Sequence, residues 1–209
     1  MCDICLTNLH GEPTENELLI GSKGLLEVEL NFKGVKVHSS NPSKGKSANL
    51  NAVKFIADMD KFYNEEIKVF EEKSYDVPYT TMNVGIINGG SAKNSVSANC
   101  NVVMDFRIAE KNHIDIIKKK LEELANIYEC DIDIIESIEP FINKLDFIKD
   151  GNTANFITEA SFIKESEKII LGTGPVTAHE VNEFITEESF KYLVEQYKKL
   201  VLKICETNI

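Results

Sequence analysis

The chain has no apolar run approaching the roughly 20 residues needed to span a bilayer. Its opening, Met1-Cys-Asp-Ile-Cys5, lacks the basic region and cleavage site of an export signal. Those two absences predict a cytoplasmic protein with no membrane partner. Positive charge is scarce as well: 23 Lys and Arg against 34 Asp and Glu leave a formal net charge of −11. A nucleic-acid binder must neutralise phosphates, so this balance excludes nucleic acid as the expected partner. There is no internal repeat and no Pro/Gly-rich linker. Cysteine is sparse and odd in number, five in all, which fits reduced thiols rather than a disulfide framework. Cys2-Asp-Ile-Cys5 is a CxxC without a second pair at finger-like spacing, and Cys100 and Cys130 keep the apolar phase of strands.

What remains is globular. With 209 residues and 43% hydrophobic content, the chain can bury the core of one large or two small domains. Leu26, Val28, Leu30 and Phe32 alternate with Glu27, Glu29 and Asn31, the period of a half-buried strand. A helix is expected from about Asn49 to Asn64, with Val53, Ile56, Ala57 and Asp60 on its face. Met82, Val84 and Ile86 predict a second strand, ended by Asn88-Gly-Gly90. Cys100, Val102, Met104, Phe106 and Ile108 form the cleanest alternation of all. Ile114, Ile117, Leu121, Leu124 and Tyr128 then repeat at three and four residues, a helical stripe. Cys130, Ile132 and Ile134 give a fourth strand. The order β-α-β-β-α-β is that of the split βαβ, ferredoxin-like sandwich. Its open sheet face and free edges are natural dimer surfaces.

Two loops carry the candidate chemistry. Ile4 to Leu9 reads as a strand, and Gly11-Glu-Pro-Thr14 follows it, so Glu12 sits at a strand exit stiffened by Pro13. Lys168 to Leu171 reads as another short strand, followed by the turn-forming Gly172-Thr-Gly-Pro175 and then by His179 and Glu183. A neutral imidazole beside carboxylates suits a borderline-soft cation such as zinc, although alone the segment is equally a surface loop.

These segments, with Lys23-Gly24, His38-Ser-Ser-Asn-Pro42, Gly89-Gly90 and Asn94, Asp105-Phe-Arg107 and Thr158-Glu-Ala160, resemble the di-zinc family of aminoacylases, acetylornithine deacetylases and succinyl-diaminopimelate desuccinylases. The matches run in family order along nearly the whole chain, and Thr158-Glu-Ala-Ser-Phe162 is most similar to the deacetylase branch. The resemblance implies an α/β fold: a zinc-peptidase-like catalytic domain from residues 1–21 and 137–209, with a ferredoxin-like lid and dimerisation domain inserted at 22–136. The last helix, with Phe190, Leu193, Val194, Tyr197, Val201 and Ile204, packs on the catalytic sheet.

It further implies a homodimer and a small N-acyl amino acid substrate, with two zinc ions bridged by a water and an aspartate (cobalt or manganese being acceptable alternatives). Glu12 would ligate one ion and His179 the other. His38 would reach the partner subunit's site and donate to the oxyanion; otherwise His38, Ser39 and Ser40 hydrogen-bond their own turn. Asn94 would approach the substrate near that histidine. Arg107 would clamp a substrate carboxylate or simply pair with Asp105. Glu159 and Gly174 would line the pocket. In the family, a preceding segment carries a His-x-Asp pair, the bridging aspartate and a Glu-Glu pair that includes the general base. Here the one His-x-Asp, His113-Ile-Asp115, opens a helix after Asn112 and reads as capping. The Glu-Glu pairs at 65–66, 71–72, 122–123 and 187–188 lie in charged helical or linker contexts. The resemblance therefore implies the C-terminal portion of such an enzyme, inactive alone. A desuccinylase, a dipeptidase and a non-catalytic dimerisation module are the competing expectations, and His10 is expected to be structural.

Overall fold

The structure is a computed structural model describing residues 7–145, 148, 151–164, 166–175, 177 and 180–207. The chain divides into two compact units, one of residues 24–73 and 77–139, the other of 1–23, 74–76 and 140–209. The expected boundaries at 21/22 and 136/137 thus shift by two or three residues, and the excursion at 74–76 has no signal in the sequence pattern. Among the described residues no helix is long and apolar enough to cross a membrane.

The first unit is a four-stranded antiparallel sheet carrying two helices. Its strands are β3 (Gly24–Lys33), β4 (Thr81–Gly89), β5 (Asn99–Ile108) and β6 (Cys130–Ile138), in the order β4-β5-β3-β6. The helices are α1 (Ala48–Phe62) and α2 (His113–Tyr128). Alternation on β3 and β5 sends Leu26, Val28, Leu30, Phe32, Val102, Met104, Phe106 and Ile108 to one face, where each is almost wholly buried. Burying each such side chain contributes about 1.5–3 kcal/mol against exposure. The helices cover that face with Ala52, Phe55 and Met59 from α1 and Ile117, Leu121 and Leu124 from α2. Phe32 and Phe55 meet edge to face at 5.5 Å.

Two expectations need correction. The buried face of α1 is Ala48, Ala52, Phe55 and Met59, whereas Val53 is 59% exposed and Ala57 and Asp60 point to solvent. Ser47 sets this phase by accepting the Leu50 N–H at the helix start. On β4 the register slips between Val84 and Ile86, a bulge that turns Ile86 onto the outer face opposite Val103. Ile86 is 54% exposed as a result, and Ile87, opposite Val102, is 59% exposed.

The second unit holds a five-stranded sheet. It contains β1 (Thr7–His10), β2 (Leu19–Ser22), β7 (Phe141–Ile142), β8 (Asn152–Ala154) and β9 (Glu167–Ile170). The path runs β1-β9-β2-β7, with β8 also on β2. β1 and β9 are parallel, Thr7 to His10 matching Glu167 to Ile170. One face packs Leu9, Ile20, Leu145 and Ile169 against Leu200 and Ile204 of α3 (Glu187–Thr207). Of the six residues expected to seat this helix, Leu193 and Tyr197 are half-buried and Ile204 is buried. Phe190, Val194 and Val201 are exposed by 51%, 37% and 46%, and Leu200 takes their place in the core.

Candidate active site

Parallel pairing puts the loops that follow β1 and β9 at the same end of the sheet, the carboxyl end where open α/β sheets bind ligands. The two loops are joined along their length. Glu15 and Asn16 donate their N–H groups to the carbonyls of Thr173 (3.2 Å) and Gly172 (2.8 Å). The Gly172 N–H in turn donates to the buried Thr14 Oγ1 at 3.0 Å, whose hydroxyl donates to the Glu17 carbonyl at 2.8 Å. Contact is so close that a β-carbon on Gly172 would stand 1.7 Å from the Glu12 carbonyl oxygen, and one on Gly174 would stand 2.8 Å from the Glu15 Cα. Glycine is obligatory there for space rather than for backbone angle. From α3, Ser189 accepts from both Gly174 N–H (2.9 Å) and Asn16 Nδ2 (2.8 Å), and Tyr197 donates to the Leu171 carbonyl at 2.6 Å.

The joined loops frame a cleft of about 270 Å³ lined by Gly11, Glu12, Pro13, Thr173, Thr177 and Glu183, among others. Glu12 is half-buried there, its Oε1 accepting the Glu159 N–H at 3.3 Å. Two of the sequence-nominated residues, Glu12 and Glu159, therefore meet, and Gly174 lies on the adjoining loop. His179 falls outside the described residues. A carboxylate fixed through one oxygen by a neighbouring N–H is what a metal ligand requires, because such ligands are themselves held by hydrogen bonds. Glu12 fits that description. Among the described residues no group of three or more His, Cys, Asp and Glu side chains could hold a metal by itself.

In the ferredoxin-like unit, His38 and Asn94 are neighbours. Ser39 donates its N–H to the Asn94 carbonyl at 2.9 Å, and His38 bridges Ser95. Both side chains are exposed. Arg107 is elsewhere, on the outer face of β5, eight residues from Asn99 or roughly 26 Å along the strand. Its Nε donates to Asp105 Oδ1 at 3.0 Å, with both side chains about one-third exposed.

His113 does not cap. It is 2% exposed, its Nδ1 lies 2.8 Å from the Thr80 hydroxyl and its ring packs on Phe70 at 5.6 Å. Asn112 makes no side-chain cap bond. Burial lowers the His113 pKa and favours the neutral ring. Sequence reasoning missed Thr14, which carried a motif match but no role, and Lys23. Lys23 is 1% exposed, with its Nζ 5.5 Å from the Tyr75 ring centre, and burial lowers its pKa to about 8. His10 keeps a buried Nε2 without a hydrogen-bond partner among the described residues.

Residues 20–128 match the peptidase dimerisation domain, and the chain belongs to that M20 peptidase family. Among curated proteins it is similar to the acetylornithine deacetylase of Pasteurella multocida, at 26% identity over 93% of this chain and 56% of that protein. It is similar also to the acetylornithine deacetylase of Photorhabdus laumondii, at 28% identity over 84% of this chain and 50% of that one. The chain spans about half the length of the curated relatives it matches. Among solved structures, a Staphylococcus aureus tripeptidase superposes with a TM-score of 0.70 at 21% identity, over 94% of this chain and 55% of that one. Aminopeptidase PepT from Bacillus cereus gives 0.68 at 19%, over 97% and 56%. At such identities the structures establish the fold alone.

Proposed function

We propose that the chain is the C-terminal portion of a metal-dependent amidohydrolase that removes the acyl group from an N-acyl amino acid, of the acetylornithine deacetylase type. The observation that carries this reading is the joining of the Glu12 and Gly172 loops at the carboxyl ends of two parallel strands, with the Glu12 carboxylate held by Glu159 over a cleft. Glu12 would hold one metal ion and His179 the other, with zinc first and cobalt or manganese allowed by the donor set. The bound metals would lower the pKa of a shared water and polarise the substrate carbonyl.

This chain's own residues would bind and orient. Glu159 N–H keeps Glu12 directed, and Gly174 lines the substrate pocket from the adjoining loop. His38 donates a hydrogen bond to the oxyanion as it forms in the partner subunit's site, with Asn94 beside it. Arg107 holds a substrate carboxylate, for which it must release or share Asp105. One ligand for each ion falls short of the three protein ligands usual at a catalytic zinc, and the glutamate base is not among these residues. The 209 residues alone are therefore inactive. They work as a cytoplasmic homodimer, joined through the ferredoxin-like unit.

Fusion to the family's preceding segment, the one with the His-x-Asp and Glu-Glu pairs, creates the testable enzyme. It is assayed on N-acetylornithine, N-succinyl-diaminopimelate and a dipeptide. The reading expects the highest kcat/KM on N-acetylornithine. A preference for either other substrate, or no hydrolysis of any, would overturn it.

A further inference from the structure

The His38 side chain is exposed, yet its ring is tied to its own turn. His38, Ser39, Ser40 and Asn41 form a tight turn closed by the Asn41 N–H donating to the His38 carbonyl at 2.9 Å. Inside it, the Ser40 backbone N–H donates to His38 Nδ1 at 3.2 Å, and Ser40 Oγ lies 2.8 Å from the same nitrogen. A backbone N–H can only donate, so Nδ1 is the accepting nitrogen and a neutral ring carries its proton on Nε2. Asn41 completes the polarity. Its Nδ2 donates to Ser40 Oγ at 3.4 Å, which directs the hydroxyl hydrogen toward Nδ1. The imidazole plays the part that a short Asn or Asp side chain plays in an Asx turn.

We propose that Ser40, backed by Asn41, is a positioning residue that fixes the tautomer of the His38 imidazole, with Nδ1 accepting and the donor on Nε2. The inference rests on the reading of His38 as the oxyanion donor and supplies what that reading needs. A ring that exchanged tautomers would present a lone pair to the oxyanion part of the time and repel it. Ser40 touches no reacting atom; it acts through the ring, as the outer partners of functional histidines do.

The test is nitrogen-15 NMR of the imidazoles in the 209-residue chain, under mildly alkaline conditions that keep the rings neutral. His38 is assigned by difference with His38→Ala. The expected result is a pyridine-like Nδ1 and a pyrrole-like Nε2, without averaging. Ser40→Ala should lower the preference for that tautomer by about fivefold, the weight of one such hydrogen bond. Ser40→Thr should restore it, and Asn41→Ala should shift it less, in the same direction. An unchanged thermal midpoint in these variants separates the effect from unfolding. Averaged nitrogen shifts in the unsubstituted chain, or a Ser40→Ala spectrum identical to it, would overturn the lock. Undiminished turnover of His38→Ala in the fused enzyme would instead overturn the functional reading beneath it.

Discussion

Gly172 and Glu12 are in backbone contact: a β-carbon on the first would lie 1.7 Å from the carbonyl oxygen of the second. Real β-carbons do not approach oxygen so closely, so any side chain at 172 must push the loops apart. Gly172→Ala is therefore expected to destabilise the second unit by about 2–3 kcal/mol, at the upper end of overpacking costs. Amide exchange of Glu15 and Asn16 should rise with it, because their bonds to Thr173 and Gly172 break. Unchanged exchange and an unchanged unfolding midpoint would mean that the loops are not joined as described.

Lys23 gives a pH signature. Burial lowers its folded pKa to about 8, below its ordinary 10.5. Between those values the unfolded chain holds more protons than the folded one, so stability rises with pH across the window. Below pH 8 the cost of burying the charge is fully present, on the order of 3 kcal/mol. Chemical denaturation from pH 7.5 to 10 should show the rise, and Lys23→Met should flatten it. Equal slopes in both proteins would sink the assignment.

How far the sequence could be read depended on the range of the interaction that fixes each feature. The β5 alternation and the α2 stripe are local patterns with strong apolar contrast, and the structure follows both. The α1 face was misread because Val53 and Ile56 suggested one stripe while the larger Phe55 and Met59 filled the core. Ile86 was misread because a single bulge reverses every side chain after it. Strands β2, β7 and β8 span two to four residues and carry no period to recognise. The meeting of Glu12 with Glu159, 147 residues apart, leaves no local trace. It was approached only through motifs that resemble a family. The Ser40 bond to His38 is anticipated as a self-contained turn, but its consequence for the ring proton follows only from which nitrogen the Ser40 N–H meets.

The ferredoxin-like unit should make the chain a dimer. The edge strand β4 exposes Ile86 and Ile87, and the exposed Leu50 and Val53 of α1 follow Asn49, which packs beside Gly89 at the end of that strand. Apolar side chains on an unpaired edge are what a partner would cover. Sedimentation at on the order of tens of micromolar, a range suited to a standard-sized interface, should give a dimer. Ile87→Lys should shift it toward monomer with the fold retained. A strict monomer before any substitution would contradict the assembly.

The central claim is that the loops after β1 and β9 each supply a metal ligand, through Glu12 and His179, to a site these residues cannot complete. Its most direct measurement is metal content together with N-acetylornithine hydrolysis, in the 209-residue chain and in its fusion to the family's preceding segment. The account predicts weak metal binding and no useful turnover in the chain alone. It predicts two bound ions in the fusion, with Glu12→Ala and His179→Ala each losing one ion and more than about a hundredfold in turnover. Robust metal-dependent hydrolysis by the 209-residue chain, or full metal content and turnover in both fusion variants, would contradict it.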